Sequence, residues 1–115
     1  MSPCPFCEIA AGHAPADIVR EWPDTLAVVP LNPVTLGHLL VIPRTHVPDF
    51  TDDPVVTGLT AQRTAELARD LGLTAANEIT SKGGAATQTV FHLHRHLVPR
   101  APGDGLALPW TGQAA

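Results

Sequence analysis

The stretch "TVFHLHRHLV" (89–98) carries His92, His94 and His96 at alternate positions, half of the six histidines in the chain. In an extended segment alternate side chains share a face and repeat at about 6.6–6.8 Å, so the three imidazoles project from one side. A solvent-facing strand would mix Thr, Lys, Glu and Ser there; three histidines in strict alternation point to chemistry. An imidazole pair at i and i+2 can chelate a metal, with further ligands from elsewhere. Alternatively, a row of imidazoles can work on phosphate. The unperturbed pKa is about 6.5, so neutral and charged forms coexist near pH 7: the neutral ring can attack while the charged ring stabilises the anionic transition state.

Cys4 and Cys7 are the only cysteines. Their spacing is that of a redox pair or of half a metal site. A thioredoxin-like context needs a strand before the motif, and residue 4 leaves no room for one. A tetrahedral Cys2His2 shell needs two more donors, for which His13, His38, His46 and His92 are the candidates.

The elements that must position these groups are legible in outline. Ser2 to Gly12 reads as a short helix, capped by Ser2 with Pro3 early and Gly12 as terminator. "TLAVVP" (25–30) and "HLLVIP" (38–43) read as two strands closed by prolines and joined by the turn "LNPVTLG" (31–37), an antiparallel hairpin. The segment 51–73 is the convincing helix: Asp53 as cap, Pro54 in the first turn, Gly72 as terminator, and a narrow inner face of Thr64, Leu67, Ala68 and Leu71. A strand near 75–80, a glycine loop at 81–87 and the histidine strand 89–98 follow. Pro99 and Pro102 end that strand, and a tail from about 101 to 115 contains Trp110. The sum is an α+β domain with helices beside a mostly antiparallel sheet.

At 115 residues and 44% hydrophobic content, one domain with one modest core is expected, spanning 1–115. No apolar run reaches the ~18 residues of a membrane span, and the N-terminus lacks the basic-then-apolar pattern of a secretory signal, so a soluble cytoplasmic protein is expected. A net charge of −4 argues against a nucleic-acid partner. A small phosphorylated substrate stays compatible, because Arg44, Lys82, Arg95 and Arg100 lie within or near the motifs.

"QTVFHLHRHLVPR" (88–100) resembles the signature of the histidine triad (HIT) family: Gln, then Ser or Thr, then His-x-His-x-His and two apolar residues. "PLNPVTLGHLLVIPRTH" (30–46) is similar to the family's Asn/Ser-Pro, Gly-His, Val-Ile-Pro and basic-x-His block, and "CPFCEIAAGHAPADIVREWPDTLAVV" to its usual start. The resemblance implies a five-stranded antiparallel sheet with one long helix and a short N-terminal helix, a homodimer, and hydrolysis or transfer of nucleotides at the α-phosphate. It implies that His94 is the nucleophile forming a nucleotidyl-histidine intermediate, that His96 contacts phosphate and leaving group, and that Gln88 and Thr89 hydrogen-bond the phosphate oxygens. The zinc-containing relatives imply a structural zinc on Cys4, Cys7, His46 and His92, with His38 a structural hydrogen bonder and His13 on the surface. Phe6, Ile9, Val28 and Leu31 match the slot for the base.

The chain departs from the family in four places. Pro30 stands where many relatives put an Asp on the ribose hydroxyls, leaving Asn32 as a substitute. Ser81 and Gly83 stand for the Asn and Gly that touch phosphate, Ser81 with shorter reach. Thr87 replaces the Gly before Gln88. Arg95 occupies a position that faces the long helix and is apolar in relatives. A buried, unpaired guanidinium is costly, so a partner among Glu66, Asp70 and Glu78 is expected. Two other functions fit the same residues: a metalloenzyme whose catalytic zinc is held by triad histidines with an open water position, and a HIT-like nucleotide-binding module with little turnover.

Overall fold

A computed structural model describes residues 4–110. Five strands form one antiparallel sheet in the order β1-β2-β3-β5-β4. They are β1 (Ile18–Glu21), β2 (Thr25–Val28), β3 (Leu39–Pro43), β4 (Ala76–Ile79) and β5 (Arg95–Pro99), with helices α1 (Pro5–Ala10) and α2 (Pro54–Asp70) on opposite faces. The α+β expectation, with one long helix and a short N-terminal one, holds.

The central hairpin forms because β2 and β3 are apolar apart from Thr25 and buried at every position, as expected of strands covered on both sides. Alternation then sorts their side chains. Ala27, Leu39, Val41 and Leu97 point to α2 and pack with Leu67 and Trp22. Leu26, Val28, Leu40 and Ile42 point to the other face and pack with Phe6 of α1. Asp53 caps α2 as expected, accepting from the amides of Val55 and Val56 at 3.0 and 3.4 Å. Gly72, at φ +68°, follows its end. Thr64 and Leu67 are buried on the inner face, joined by Thr60, and Ala68 packs beside them. Leu71 is 53% exposed because the helix has already ended at Asp70.

Three boundaries differ from expectation. The cap of α1 is Cys4, whose Sγ accepts from the Cys7 amide, with Pro5 at the first helical position; Ser2 and Pro3 lie outside the described residues. β1 has no apolar run to announce it, since its four residues are exposed or half-exposed at the sheet edge. Most consequentially, β5 starts only at Arg95. Residues 89–94 run alongside without strand pairing, because β3 ends at Pro43, whose carbonyl receives the His92 ring instead, while the Leu93 amide bonds Val47 O at 2.8 Å. Only His96 of the three alternating histidines therefore sits on a regular strand.

Arg95 meets one of its expected partners. Its guanidinium lies 3.4 Å from Glu78 and donates to Thr60 Oγ1 at 3.2 Å, with the side chain 12% exposed. Glu66 and Asp70 are taken by Arg63 and Arg20.

Candidate functional site

On the α1 face, Cys4, Cys7, His46 and His92 offer four ligand atoms that all lie within 4.8 Å of one another. The His46 and His92 Nδ1 atoms are 3.1 Å apart, and the sulfur-to-nitrogen separations are 3.3, 3.4 and 3.5 Å. A tetrahedral zinc with bonds near 2.3 Å to sulfur and 2.0 Å to nitrogen has edges of about 3.3 Å for N···N and about 3.5 Å for S···N. The donors thus stand at the corners such an ion requires. His92 adds a second test. It is fully buried, and its Nε2 sits 2.8 Å from Pro43 O, a pure acceptor, so Nε2 carries the hydrogen and Nδ1 offers its lone pair to the cluster. Ligating histidines are oriented by just such a bond from the far nitrogen. Two thiolates and two imidazoles close the coordination shell, which defines a structural zinc site rather than a catalytic one. His13 is exposed, beside Glu8, and takes no part.

The same face fixes the other imidazoles. His94 Nδ1 lies 2.8 Å from His92 O, so it must carry the proton, and the lone pair of neutral His94 is at Nε2. His38 Nδ1 accepts from the Val34 amide at 3.1 Å, which puts the His38 proton on Nε2, 3.0 Å from His96 Nδ1. His96 Nδ1 therefore accepts, and its own hydrogen is on Nε2. Burial pushes the pKa of His38, His92 and His94 below the usual imidazole value. His96 is driven down to about 4 by burial and by its neighbours His94 and His38. The His94 and His96 rings meet edge-on at 5.2 Å, and Phe6 stands edge-on to His94 at 5.0 Å. A ring nitrogen with a free lone pair and a neighbouring ring with an N–H are thus set side by side. Thr80 Oγ1 holds His94 O at 2.8 Å, tying β4 to the same point.

Next to Phe6 opens a cleft of about 730 Å³ whose lining includes Phe6, Ile9, Val28 and Leu31, with Pro30 and Val90. The four residues expected to hold a base come together there. Leu31 is 98% exposed, a lid on the rim rather than part of the core. Asn32 is exposed on the adjoining loop. The expectation for Gln88 changes. Its side chain is 5% exposed, and its amide nitrogen donates to Pro48 O at 2.7 Å and Val90 O at 3.1 Å, while Oε1 accepts from the Gly83 amide at 2.8 Å. Both donor hydrogens are engaged by backbone, so none is left for a phosphate oxygen. Gln88 instead ties three loops together, and Thr89, which is exposed, is the member of the pair that faces solvent. Gly83 serves the brace through its amide, at φ +87°, and Ser81 precedes it in the same loop. Thr87, at φ +70°, tolerates a left-handed conformation that Gly would adopt without strain.

The positive charges near the motifs are committed elsewhere. Arg44 pairs with Glu21, Arg95 with Glu78 and Arg100 with Asp104, and Lys82 bonds Thr51 Oγ1 at 2.8 Å. Arg100 also reaches Asn77 and Leu106 O, which fastens the start of the tail to β4.

A five-stranded antiparallel sheet with one long helix, carrying alternate imidazoles at and just before the start of β5 beside an apolar cleft, defines a histidine triad domain. The family model described as "HIT domain" matches residues 11–103, and the chain belongs to the HIT family. It is 43% identical over 111 residues to an uncharacterised HIT-like protein of Mycobacterium tuberculosis, covering 92% of this chain and 77% of the relative. It is 32% identical over 116 residues to an adenylylsulfatase of Arabidopsis thaliana, covering 96% of this chain and 57% of that protein. Among solved structures, a zinc-bound histidine triad family protein from Mycobacterium smegmatis superposes with a TM-score of 0.78 at 45% identity, covering 90% of this chain and 79% of that one. A HIT family hydrolase from Clostridium thermocellum gives 0.80 at 30% identity, covering 94% and 99%.

Proposed function

We propose that this protein is a nucleotide hydrolase or nucleotidyl transferase that acts at the α-phosphate through a nucleotidyl-histidine intermediate on His94. The observation that carries the reading is the pair of opposed tautomers: His94 with its lone pair on Nε2, held by its bond to His92 O, and His96 with its hydrogen on Nε2, held by His38. The base enters the cleft of Phe6, Ile9, Val28 and Leu31. His94 Nε2 attacks phosphorus, the N–P bond forms, and the bond to the leaving group breaks while the His96 Nε2–H donates a hydrogen bond to the departing atom, which takes its proton from water. Water then cleaves the N–P bond and releases the mononucleotide. Thr89 hydrogen-bonds a phosphate oxygen, Ser81 and Asn32 border the substrate, and Gln88 and Gly83 hold the loop that presents Thr89.

Zinc held by Cys4, Cys7, His46 and His92 lends rigidity to the segment carrying His94. The closed set of four protein donors speaks against the reading in which the metal activates water. Phosphoramidates, dinucleoside polyphosphates and adenylyl sulfate all present the same α-phosphate. With Arg44, Arg95 and Arg100 already paired with carboxylates and Lys82 the one cation near the motifs bonded only to a hydroxyl, leaving groups of low charge are favoured over polyphosphates. The adenylylsulfatase among the relatives is in keeping with this. The homodimer implied by the resemblance belongs to the same proposal, with sedimentation as its test.

Incubation with an adenosine phosphoramidate followed by an alkaline quench is expected to trap an acid-labile adenylyl group on His94, mapped by peptide mass. Full turnover by His94→Ala would refute the mechanism. Tight nucleotide binding with no turnover on any substrate of this class would identify a binding module instead.

A further inference from the structure

The Cys2His2 shell is buried on one side and open on the other: His92 is fully buried, whereas the Cys7 Sγ to His46 contact at 3.3 Å lies at the surface. Cys4 and Cys7 are both half-buried, and their ligand atoms lie within the 4.8 Å cluster. His92 also links the two centres, since its Nδ1 faces the sulfurs at 3.4 and 3.5 Å while its carbonyl oxygen accepts from His94 Nδ1 at 2.8 Å. Thiolates, not thiols, react with peroxides, and metal coordination keeps cysteine in that form.

We propose that Cys4 and Cys7 are a peroxide-reactive dithiol whose oxidation to a disulfide ejects the metal and loosens the seat of His94. The Cys7 thiolate, on the open side, attacks a peroxide oxygen; the O–O bond breaks, giving a sulfenic acid at Cys7 and a hydroxide. The Cys4 thiolate then attacks the Cys7 sulfur, the S–O bond breaks, and a second hydroxide leaves. Two thiolates have lost two electrons to one peroxide. A zinc bound there would keep only His46 and His92 as protein donors and would be released. Reversal requires a thiol reductant and fresh zinc.

The test uses the full-length, zinc-loaded chain titrated with hydrogen peroxide. Zinc release is read with a chromogenic chelator, the product by intact mass after alkylation, and turnover in parallel. One zinc released per peroxide consumed, loss of both alkylatable thiols with the mass of two hydrogens, and recovery with dithiothreitol plus zinc are expected. Cys4→Ser should instead accumulate a sulfenic acid at Cys7, trapped by dimedone. Zinc retained under peroxide that fully oxidises free cysteine overturns the proposal, as does release accompanied only by sulfinic or sulfonic products. The coupling to His94 rests on the function proposed above and has its own readout: the His94 ring 15N shifts should move from a single fixed tautomer towards a mixture in the oxidised protein. Unchanged shifts after complete disulfide formation overturn the coupling, whatever the substrate proves to be.

Discussion

His38 touches no part of the base cleft, yet the geometry makes it a positioning residue for the proposed proton donor. Its two ring nitrogens do separate work: Nδ1 accepts from the Val34 amide and Nε2 donates to His96 Nδ1. His38→Phe preserves the ring and removes both bonds. A neutral intramolecular hydrogen bond contributes about 0.5–1.5 kcal/mol, so losing the hold on His96 should lower kcat roughly 2- to 13-fold at about 1.4 kcal/mol per decade. KM should hardly move, since the residue lies outside the cleft. Two further variants separate the roles. His38→Asn places an oxygen near the former Nδ1 and restores the Val34 bond alone; His38→Gln places an amide nitrogen near the former Nε2 and restores the bond to His96. The assay is steady-state hydrolysis of a fluorogenic adenosine phosphoramidate, with the melting temperature recorded beside it. The expected order of kcat is wild type and Gln above Asn and Phe. If Asn recovers full kcat while Phe does not, the effect belongs to the loop at 31–37 and the tautomer reasoning is wrong. If Phe itself retains full kcat, His96 needs no external orientation.

Gln88→Leu, close in volume, strands the Gly83 amide and the Pro48 and Val90 carbonyls. A loss of about 2–4 kcal/mol in urea unfolding is expected, from penalties of about 1–3 kcal/mol for each buried group that water cannot reach; a change within error would show that the brace is dispensable. The pH dependence of stability has a definite sign. His38, His92, His94 and His96 all have depressed pKa values in the fold, His96 down to about 4, so the unfolded chain binds more protons between about 4 and 6.5. Stability should be fully present above about pH 6.5 and fall as pH drops through that window, in chelator as well as with zinc; a melting temperature that rises on acidification from 7 to 5 would contradict the buried, neutral imidazoles. Arg95→Met should change stability by no more than about 1 kcal/mol, because apolar replacements of buried ion pairs are often neutral, Glu78 is 47% exposed and can rehydrate, and Thr60 keeps its bond to Thr57 O. A loss above about 3 kcal/mol would mean the guanidinium is a structural keystone of the α2 face.

What could be read in advance follows the range of the interactions involved. The cap at Asp53, the proline-closed hairpin and the glycine terminators are local, settled by residues a few positions apart, and the sequence states them openly. β1 is silent because an exposed four-residue edge strand has no apolar run to display. The retreat of β5 to Arg95 is equally hidden: it depends on the His92 ring taking the Pro43 carbonyl, 49 residues away. The bonding of Gln88 is hidden for a similar reason. Its bonds reach back to Pro48 and across a tight loop, and a polar residue beside a catalytic motif looks like a ligand contact until its partners are known. The cysteine spacing supplied half a coordination shell and left redox and metal readings both open; only the convergence of residues 4, 7, 46 and 92 distinguishes them.

That convergence also bears on how the chain comes together in time. Cys4 and His92 are 88 residues apart, so a metal joining them closes a loop that takes in every strand before β5 and both helices. Much of its stabilising effect then falls on the unfolded ensemble, which loses the freedom of its longest segment. During synthesis Cys4 and Cys7 emerge first of the four ligands, His46 follows 39 residues after Cys7, and His92 comes 46 residues later still, just ahead of β5. Until then Cys4 and Cys7 have no complete shell. The N-terminal helix that walls the cleft is therefore secured late, and the cleft is completed in the same step that seats the histidine row.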